Sequence, residues 1–451
     1  MTENKKLIIR VIKGGVWIFS SHILSQIIRL ASNLILTRLL VPEMFGVMAI
    51  VTVIMMGMIM LSDIGIRQSI IKSHRGEERV FLNTAWTIGI IKGALLCIVM
   101  ILFSYSLGLL NEWDIFKEGS VYADPVLPEV LIAMSLILFV NGFLSTKLYV
   151  KNRNLEMGKV SFLELISQML GVMIMIVVAM NTPTIWALVF GAIVTALLKV
   201  ILSHVMFSGV ENRLCWDAES FSEIFHFGKW MLLSSLLSFL TMQGDRIILG
   251  SLVSAQVLGV YTIAYFIAEA VNLVVRKING SVLFPAYSEI VRENVNELAD
   301  TYYKFRKRVD VVSFFLAGLL FESGSELIAL LYDERYADAG WMLEIMAFLL
   351  FFSPFLLAGQ CFIAMGKPKY HSSSLLIQLA TVYISLPLCY YLYGLQGAVW
   401  ALALSTLPRV GVTLMLMRRL KLLNIKKEVL YIPVLVAGVV SGWLLNWARV
   451  A

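Results

Sequence analysis

The chain has 451 residues, 59% hydrophobic and only 15% charged, with a formal net charge of +7. A soluble domain carries about 25% charged residues, so this composition excludes a water-solvated globule and makes lipid the solvent; the mean hydropathy of +0.83 agrees. The positive balance sits in loops and not along one stripe, which fits a positive-inside bias and gives no reason to expect nucleic acid as a partner.

A membrane crossing takes ~20 apolar residues, so the length holds about a dozen crossings. Backbone groups in hydrocarbon must be satisfied internally, which leaves helices or a closed barrel. The apolar runs are continuous and do not alternate over short segments, so the expected class is an all-α polytopic membrane protein. In chain order the runs predict spans at 15–36, 44–61, 82–107, 130–146, 160–180 and 184–208. A second set follows at 230–249, 258–275, 311–331, 341–364, 373–393 and 398–417. A thirteenth run, 429–447, either spans or lies in the interface. Residues 1–15 precede a full-length run with no small-residue cleavage site, so the first helix is read as uncleaved.

Loop charges give the orientation. One side holds Lys5, Lys6, Arg10 and Lys13, then Arg67, Lys72, Arg75 and Arg79, then Lys147, Lys151, Arg153 and Lys159. The same side later holds Arg276, Lys277, Lys304, Arg306, Lys307, Arg308, Lys367, Lys369, Arg418, Arg419, Lys421, Lys426 and Lys427. The opposite loops are poor in bases and hold acids such as Glu112, Asp114, Glu118, Asp124 and Asp338. The basic side is cytoplasmic, and the N-terminus lies there. The longest extramembrane stretch, 276–308, is read as ending in an amphipathic helix on the membrane surface.

An internal repeat emerges without gaps. Gly15, Trp17, Ser21 and Leu36 align with Gly228, Trp230, Ser234 and Leu249, and Gly46 and Val47 with Gly259 and Val260. A weaker echo pairs Lys159 and Gln168 with Lys369 and Gln378. The copies are six spans apart and so insert the same way round. They predict two parallel six-helix lobes around a central cavity, related by an axis along the membrane normal. The domains read as 1–208, a cytoplasmic linker 209–229, a second lobe 230–417, and a tail 418–451 with the possible extra helix of the thirteenth run.

At these residues the chain resembles the Wzx-type polysaccharide flippases of the multidrug/oligosaccharidyl-lipid/polysaccharide exporter superfamily. LTRLLVPEMFGVMAI and SDIGIRQSIIKS resemble the family's opening, and GDRIILGSLVSAQVLGVYTIAYFI the start of its second lobe. LFPAYSEI and ELIALLYDERYADAGWMLEIMAF resemble its segments around span nine. The resemblance covers nearly the whole chain and rests on the order of these pieces. It implies a twelve-helix, two-lobed core with alternating access and an oligosaccharide linked to a polyprenyl pyrophosphate as cargo. Membrane lipids, a polysaccharide polymerase and a chain-length regulator are the implied partners. Two departures stand out: a thirteenth span, and no proline at the start of span nine.

Ionisable residues at hydrocarbon depth cost ~2.5–3.5 kcal/mol or more each, so they face a partner or a watery cavity. The candidates for a pyrophosphate and glycan cavity are Arg29, Lys92, Lys199, Arg246 and Arg409, with Arg29 and Arg246 favoured. Arg offers a planar fork of donors and Lys a point charge, both suited to a phosphate. The competing reading is pairing with buried acids: Glu164, Asp245, Glu269, Glu322 and Glu326 are available, and Asp245, Glu269 and Glu322 are candidates for ion coupling or charge pairing. Gln26, Asn33, Gln168, Gln243, Asn272 and Gln378 read as contacts between helices.

A cation-exporting antiporter of the same superfamily would want acids in the first lobe, where bases outnumber Glu164. A glycosyltransferase or polymerase would want paired carboxylates or a metal site beside a substantial external loop. The largest external stretch, NEWDIFKEGSVYAD, is short and has no His. The cysteines Cys97, Cys215, Cys361 and Cys389 lack metal-ligand spacing, and no ATP-binding GxxxxGK[ST] motif occurs. No catalytic residue, metal or cofactor is expected. The topology predicts that single cysteines introduced at 147–159 react only with membrane-permeant reagents in intact cells, while those at 111–124 react with impermeant ones; the reverse pattern would overturn the orientation.

Overall fold

The computed structural model describes residues 3–154, 156–278 and 283–450. The side chains of Gly15, Gly228, Trp230 and Ser234 in the repeat, and of Lys5, Lys6, Arg10, Lys13, Arg276 and Lys277, lie outside the described residues. Among the described residues every regular element is a helix. Each predicted span falls on a helix or on two consecutive ones. Eight helices are long and apolar enough to cross a membrane by length and composition, or nine if a bent pair counts as one span, among the described residues. One of these, Pro368–Arg419, contains two predicted spans.

The chain forms two compact units. The first runs up to Leu240 and adds Gly250–Leu258; the second takes Thr241–Leu249 and everything from Gly259. The first unit contains α1 (Glu3–Leu39), α2 (Pro42–Leu61), α3 (Ile66–Lys72), α4 (Arg79–Glu112), α5 (Val126–Gly142), α6 (Lys147–Arg153), α7 (Met157–Asn181) and α8 (Ile185–Val205). Pro42 starts α2 where a helix needs no N–H donor. Gln168 of α7 ties α1 across 3.1 Å to the Ser25 carbonyl, and Ser25 donates back to Gln168 Oε1 at 2.6 Å. That is the contact between helices expected of an intramembrane amide.

The segment after α8 is fastened to α4 by a ladder of side chains. The N–H groups of Arg213, Cys215 and Asp217 donate to Asn83 Oδ1, Thr87 Oγ1 and Thr84 Oγ1 at 3.1, 3.0 and 3.1 Å. Asn83, Thr84 and Thr87 share one helical face by their spacing, so a strand-like segment can run along them. Asp217 then caps α9 (Ala218–Leu252), accepting from the Ser220 N–H at 2.9 Å and its hydroxyl at 2.6 Å. The helix therefore begins inside the stretch read as linker, and the change of unit falls further on, within α9.

The second unit holds α10 (Ala255–Ile278) from Gly259 on, α11 (Phe284–Glu293), α12 (Leu298–Leu331), α13 (Ala339–Phe352), α14 (Ala358–Ala364), α15 (Pro368–Leu404), α16 (Thr406–Arg419), α17 (Ile425–Val429) and α18 (Val434–Val450). The long α15 is two helices joined at Gly394, whose φ of 64° and ψ of −154° only glycine adopts readily. The chain reverses there: Arg409 bonds to Gln378 and the Gly397 backbone closes on the Cys389 carbonyl, pairs centred on the glycine. This resolves the predicted spans eleven and twelve as an antiparallel hairpin.

The thirteenth run forms α18, which packs parallel to α12. A Cβ on Gly318 would lie 2.2 Å from the Leu435 carbonyl, and one on Gly438 2.1 Å from that of Phe315. Further along, Gly442 meets the Glu322 side chain, and Asn446 Nδ2 donates to the Glu322 carbonyl at 2.9 Å. Without a hydrophobic drive between helices in lipid, such close backbone approach supplies the packing that holds them. Glu322 thus lies against α18.

The single amphipathic surface helix read across 288–309 is corrected by the structure, which divides it between the end of α11 and the start of α12. Tyr287 of α11 is fully buried with Leu298, Tyr302, Leu357 and Phe362, and the basic stretch is the opening of α12 itself. Arg306 is buried completely. Its guanidinium pairs with Asp310 at 3.0 Å and with Glu428 of α17, and lies 4.6 Å from the centre of the Phe355 ring. Tyr303 donates to the second Glu428 oxygen at 2.7 Å. Two acids on one base offset a desolvation cost that a lone charge would not survive. Glu428→Ala should lower the stability of the detergent-solubilised chain by roughly 3–5 kcal/mol in thermal or denaturant unfolding, because it strands a buried charge. A triple variant, Arg306→Met with Asp310→Leu and Glu428→Met, should lose less, because it leaves no buried charge behind; equal loss in both would refute the pairing.

Candidate functional site: a charged cavity in the second unit

Six helices of the second unit, α9, α10, α13, α14, α15 and α16, line a cavity of about 410 Å³. Its polar lining comes from Asp245 on α9, Glu269 and Asn272 on α10, Gln360 on α14, His371 and Gln378 on α15, and Arg409 on α16. Helical periodicity explains the convergence. Tyr261, Tyr265, Glu269 and Asn272 stand three to four residues apart and share one face of α10, as His371 and Gln378 do on α15 and Thr406 and Arg409 on α16.

Each charge is held by neighbours. Tyr261 donates to Asp245 Oδ2 at 2.5 Å, and both are buried. Asn272 Nδ2 donates to Glu269 Oε2 at 3.2 Å. Arg409 Nη1 donates to Gln378 Oε1 at 2.7 Å, which aims the guanidinium across the hairpin. Arg246 follows Asp245 in sequence and points about 100° away around the helix. It bonds through Nη1 to Gln243 Oε1 at 2.9 Å, and its guanidinium carbon sits 4.8 Å from the centre of the Tyr265 ring that lines the cavity. A guanidinium on a tyrosine face is attracted by the ring quadrupole and keeps its remaining donors available for a bidentate anion.

Of the residues singled out from sequence, Asp245, Glu269 and Arg409 line this cavity, and Arg246 flanks it through Tyr265. Glu322 does not line it. Arg29, Lys92 and Lys199 belong to the first unit. There Lys199 faces Glu164 at 3.6 Å, with both side chains partly exposed, Lys92 is half-buried on α4, and Arg29 is exposed on α1. Gln378 and Asn272, read as contacts between helices, are cavity walls as well. His371, Gln360, Tyr261 and Tyr265 were not singled out; the three-to-four spacing of tyrosines and acid on α10 is the signal that could have found two of them.

A forked donor, two carboxylates, an imidazole and amides can orient a polar guest and hold protons, and among the described residues no group of three or more His, Cys, Asp or Glu is placed to bind a metal.

Residues 35–341 match the family described as "Polysaccharide biosynthesis protein". The chain is similar to the lipopolysaccharide biosynthesis protein WzxC of Escherichia coli (strain K12), 23% identical over 75% of this chain and 66% of that protein. It is also similar to a putative O-antigen transporter of Shigella flexneri, 24% identical over 86% of this chain and 93% of that one. Among solved structures it shares the fold of the lipid II flippase MurJ in an inward closed conformation, at TM-score 0.70 and 13% identity, covering 96% of this chain and 92% of MurJ. An inward-facing multidrug resistance transporter of the MATE family has the same fold at TM-score 0.66 and 16% identity, covering 88% and 94%. The family match spans well over half of an all-α, multi-pass membrane chain, and the protein belongs to the polysaccharide biosynthesis protein family.

Proposed function

We propose that the protein is a flippase that moves an oligosaccharide linked to a polyprenyl pyrophosphate from the cytoplasmic to the outer leaflet, by alternating access, for surface polysaccharide synthesis. The observation that carries this reading is a polar cavity in which Arg409 is oriented by Gln378 and whose wall residue Tyr265 seats Arg246 on its ring. Relatives named for O-antigen transport and lipopolysaccharide biosynthesis support the same cargo class. In this reading the N-terminus is cytoplasmic, Arg246 and Arg409 hold the pyrophosphate in the second unit, and Arg29, Lys92 and Lys199 are further candidate contacts for the cargo on the first. An inside-negative potential favours outward movement of the anionic head by about 2.3 kcal/mol per charge per 100 mV. The protein carries no reaction of its own; a polymerase and a chain-length regulator would act on the delivered cargo outside.

In a strain whose surface polysaccharide depends on this chain, Arg409→Ala and Arg246→Ala should each cut polysaccharide at least about tenfold, the loss of one charge-assisted contact, with protein level unchanged. Arg409→Lys should retain part of the activity, since a point charge replaces the fork. Arg29→Ala should match them. Normal polysaccharide in all three alanine variants would remove the cavity-cation assignment.

The carboxylates of Asp245 and Glu269 in the same cavity favour a second reading, cation-coupled export of a cationic small molecule. An ethidium efflux assay in proteoliposomes separates the two. The flippase reading expects no efflux above empty vesicles, and Glu269→Gln should change polysaccharide output alone; efflux abolished by Glu269→Gln would favour the antiporter.

A further inference from the structure

A second cavity, of about 470 Å³, lies inside the hairpin formed by α15 and α16. Thr381, Ser385, Cys389 and Tyr393 form one wall at four-residue steps, so they share a helical face. Trp400, Ala401 and Leu404 belong to the returning arm. No charged residue lines it. Two of its hydroxyls are spent on their own helices: Thr381 donates to the Ile377 carbonyl at 2.8 Å and Ser405 to that of Leu402 at 2.7 Å. What these residues present to the groove is therefore carbon. Ser405 also lines the charged cavity, so the two compartments meet there, one rich in ionisable groups and the other apolar. On the hairpin's flank, Ile384, Leu388 and Leu392 are more than half exposed, as side chains facing hydrocarbon are.

A volume of this size falls in the range of roughly 300–1,000 Å³ typical of ligand sites. A charged compartment and an uncharged one that share Ser405 in their walls match a ligand with an anionic head and an apolar chain. We propose that this groove holds the prenyl units next to the pyrophosphate of the cargo while Arg409 and its neighbours hold the head; the assignment rests on the polyprenyl-pyrophosphate reading above. Burying the first prenyl units beside the head fixes where the pyrophosphate sits along the membrane normal. It also distinguishes a lipid-linked saccharide from a free one, since only the former fills both compartments.

Cys389 is a natural reporter in the groove wall. The full chain is reconstituted in dioleoylphosphatidylcholine vesicles, and its alkylation by N-ethylmaleimide at Cys389 is followed by peptide mass spectrometry, with inorganic pyrophosphate or farnesyl pyrophosphate added. Farnesyl pyrophosphate should slow alkylation several-fold, and inorganic pyrophosphate should not. In binding measurements farnesyl pyrophosphate should bind at least about tenfold more tightly than inorganic pyrophosphate, the gain expected from burying a few methylenes. Ser385→Leu, which fills the groove, should erase that gain and leave inorganic pyrophosphate binding unchanged. Unaltered Cys389 alkylation, a gain that survives Ser385→Leu, or protection already complete in vesicles without farnesyl pyrophosphate would overturn the groove while leaving the flippase reading standing. Wild-type protein that binds neither pyrophosphate would bring down both.

Discussion

Charge held where hydrocarbon is the solvent organises this protein. An ion there must find a counter-ion, a hydrogen-bonding neighbour or water, because the alternative costs several kcal/mol. Different parts of the fold answer that demand differently. At one end of the second unit, Arg306 is sealed between Asp310 and Glu428 and becomes structural. In the charged cavity, Arg409 is aimed by a neutral amide, Gln378, which orients the guanidinium without cancelling its charge. A sealed charge stabilises a shape, whereas one oriented on a cavity wall can face a ligand.

Much of this architecture could be read from the chain. Hydrophobic length located the helices, because a crossing imposes the same ~20-residue demand on every segment. The hairpin at Gly394 and the helix 434–450 follow from that demand. The cavity was legible in part: Asp245, Glu269 and Arg409 announce themselves as ions in apolar runs. His371 and Gln360 do not, since they sit near segment ends where polar residues are ordinary. The basic run at 304–308 misled for a related reason. Loop charge and a buried ion look alike in sequence, and only the approach of α17, more than a hundred residues later, distinguishes Arg306 from its exposed neighbours.

The thirteenth helix illustrates how packing without a hydrophobic drive is achieved. Gly318 and Gly438 remove side chains where backbones meet, and Asn446 adds a bond to the Glu322 carbonyl. At the start of the same segment Glu428 anchors α17 to α12. The helix is thus fastened at its entry and along its length, and belongs wholly to the second unit.

The ladder from Asn83, Thr84 and Thr87 to the backbone of 213–217 has an engineering consequence. A connection between membrane segments is ordinarily a forgiving place for added residues, because loop closure costs little more as length grows. Here alternate N–H groups are each matched to one hydroxyl or amide acceptor on a face of α4, so the segment is a row of divisions each with its own partner. One inserted residue shifts every division beyond it and turns each donor away from its acceptor. Epitope tags, protease sites and reporter fusions therefore do not belong in this tether.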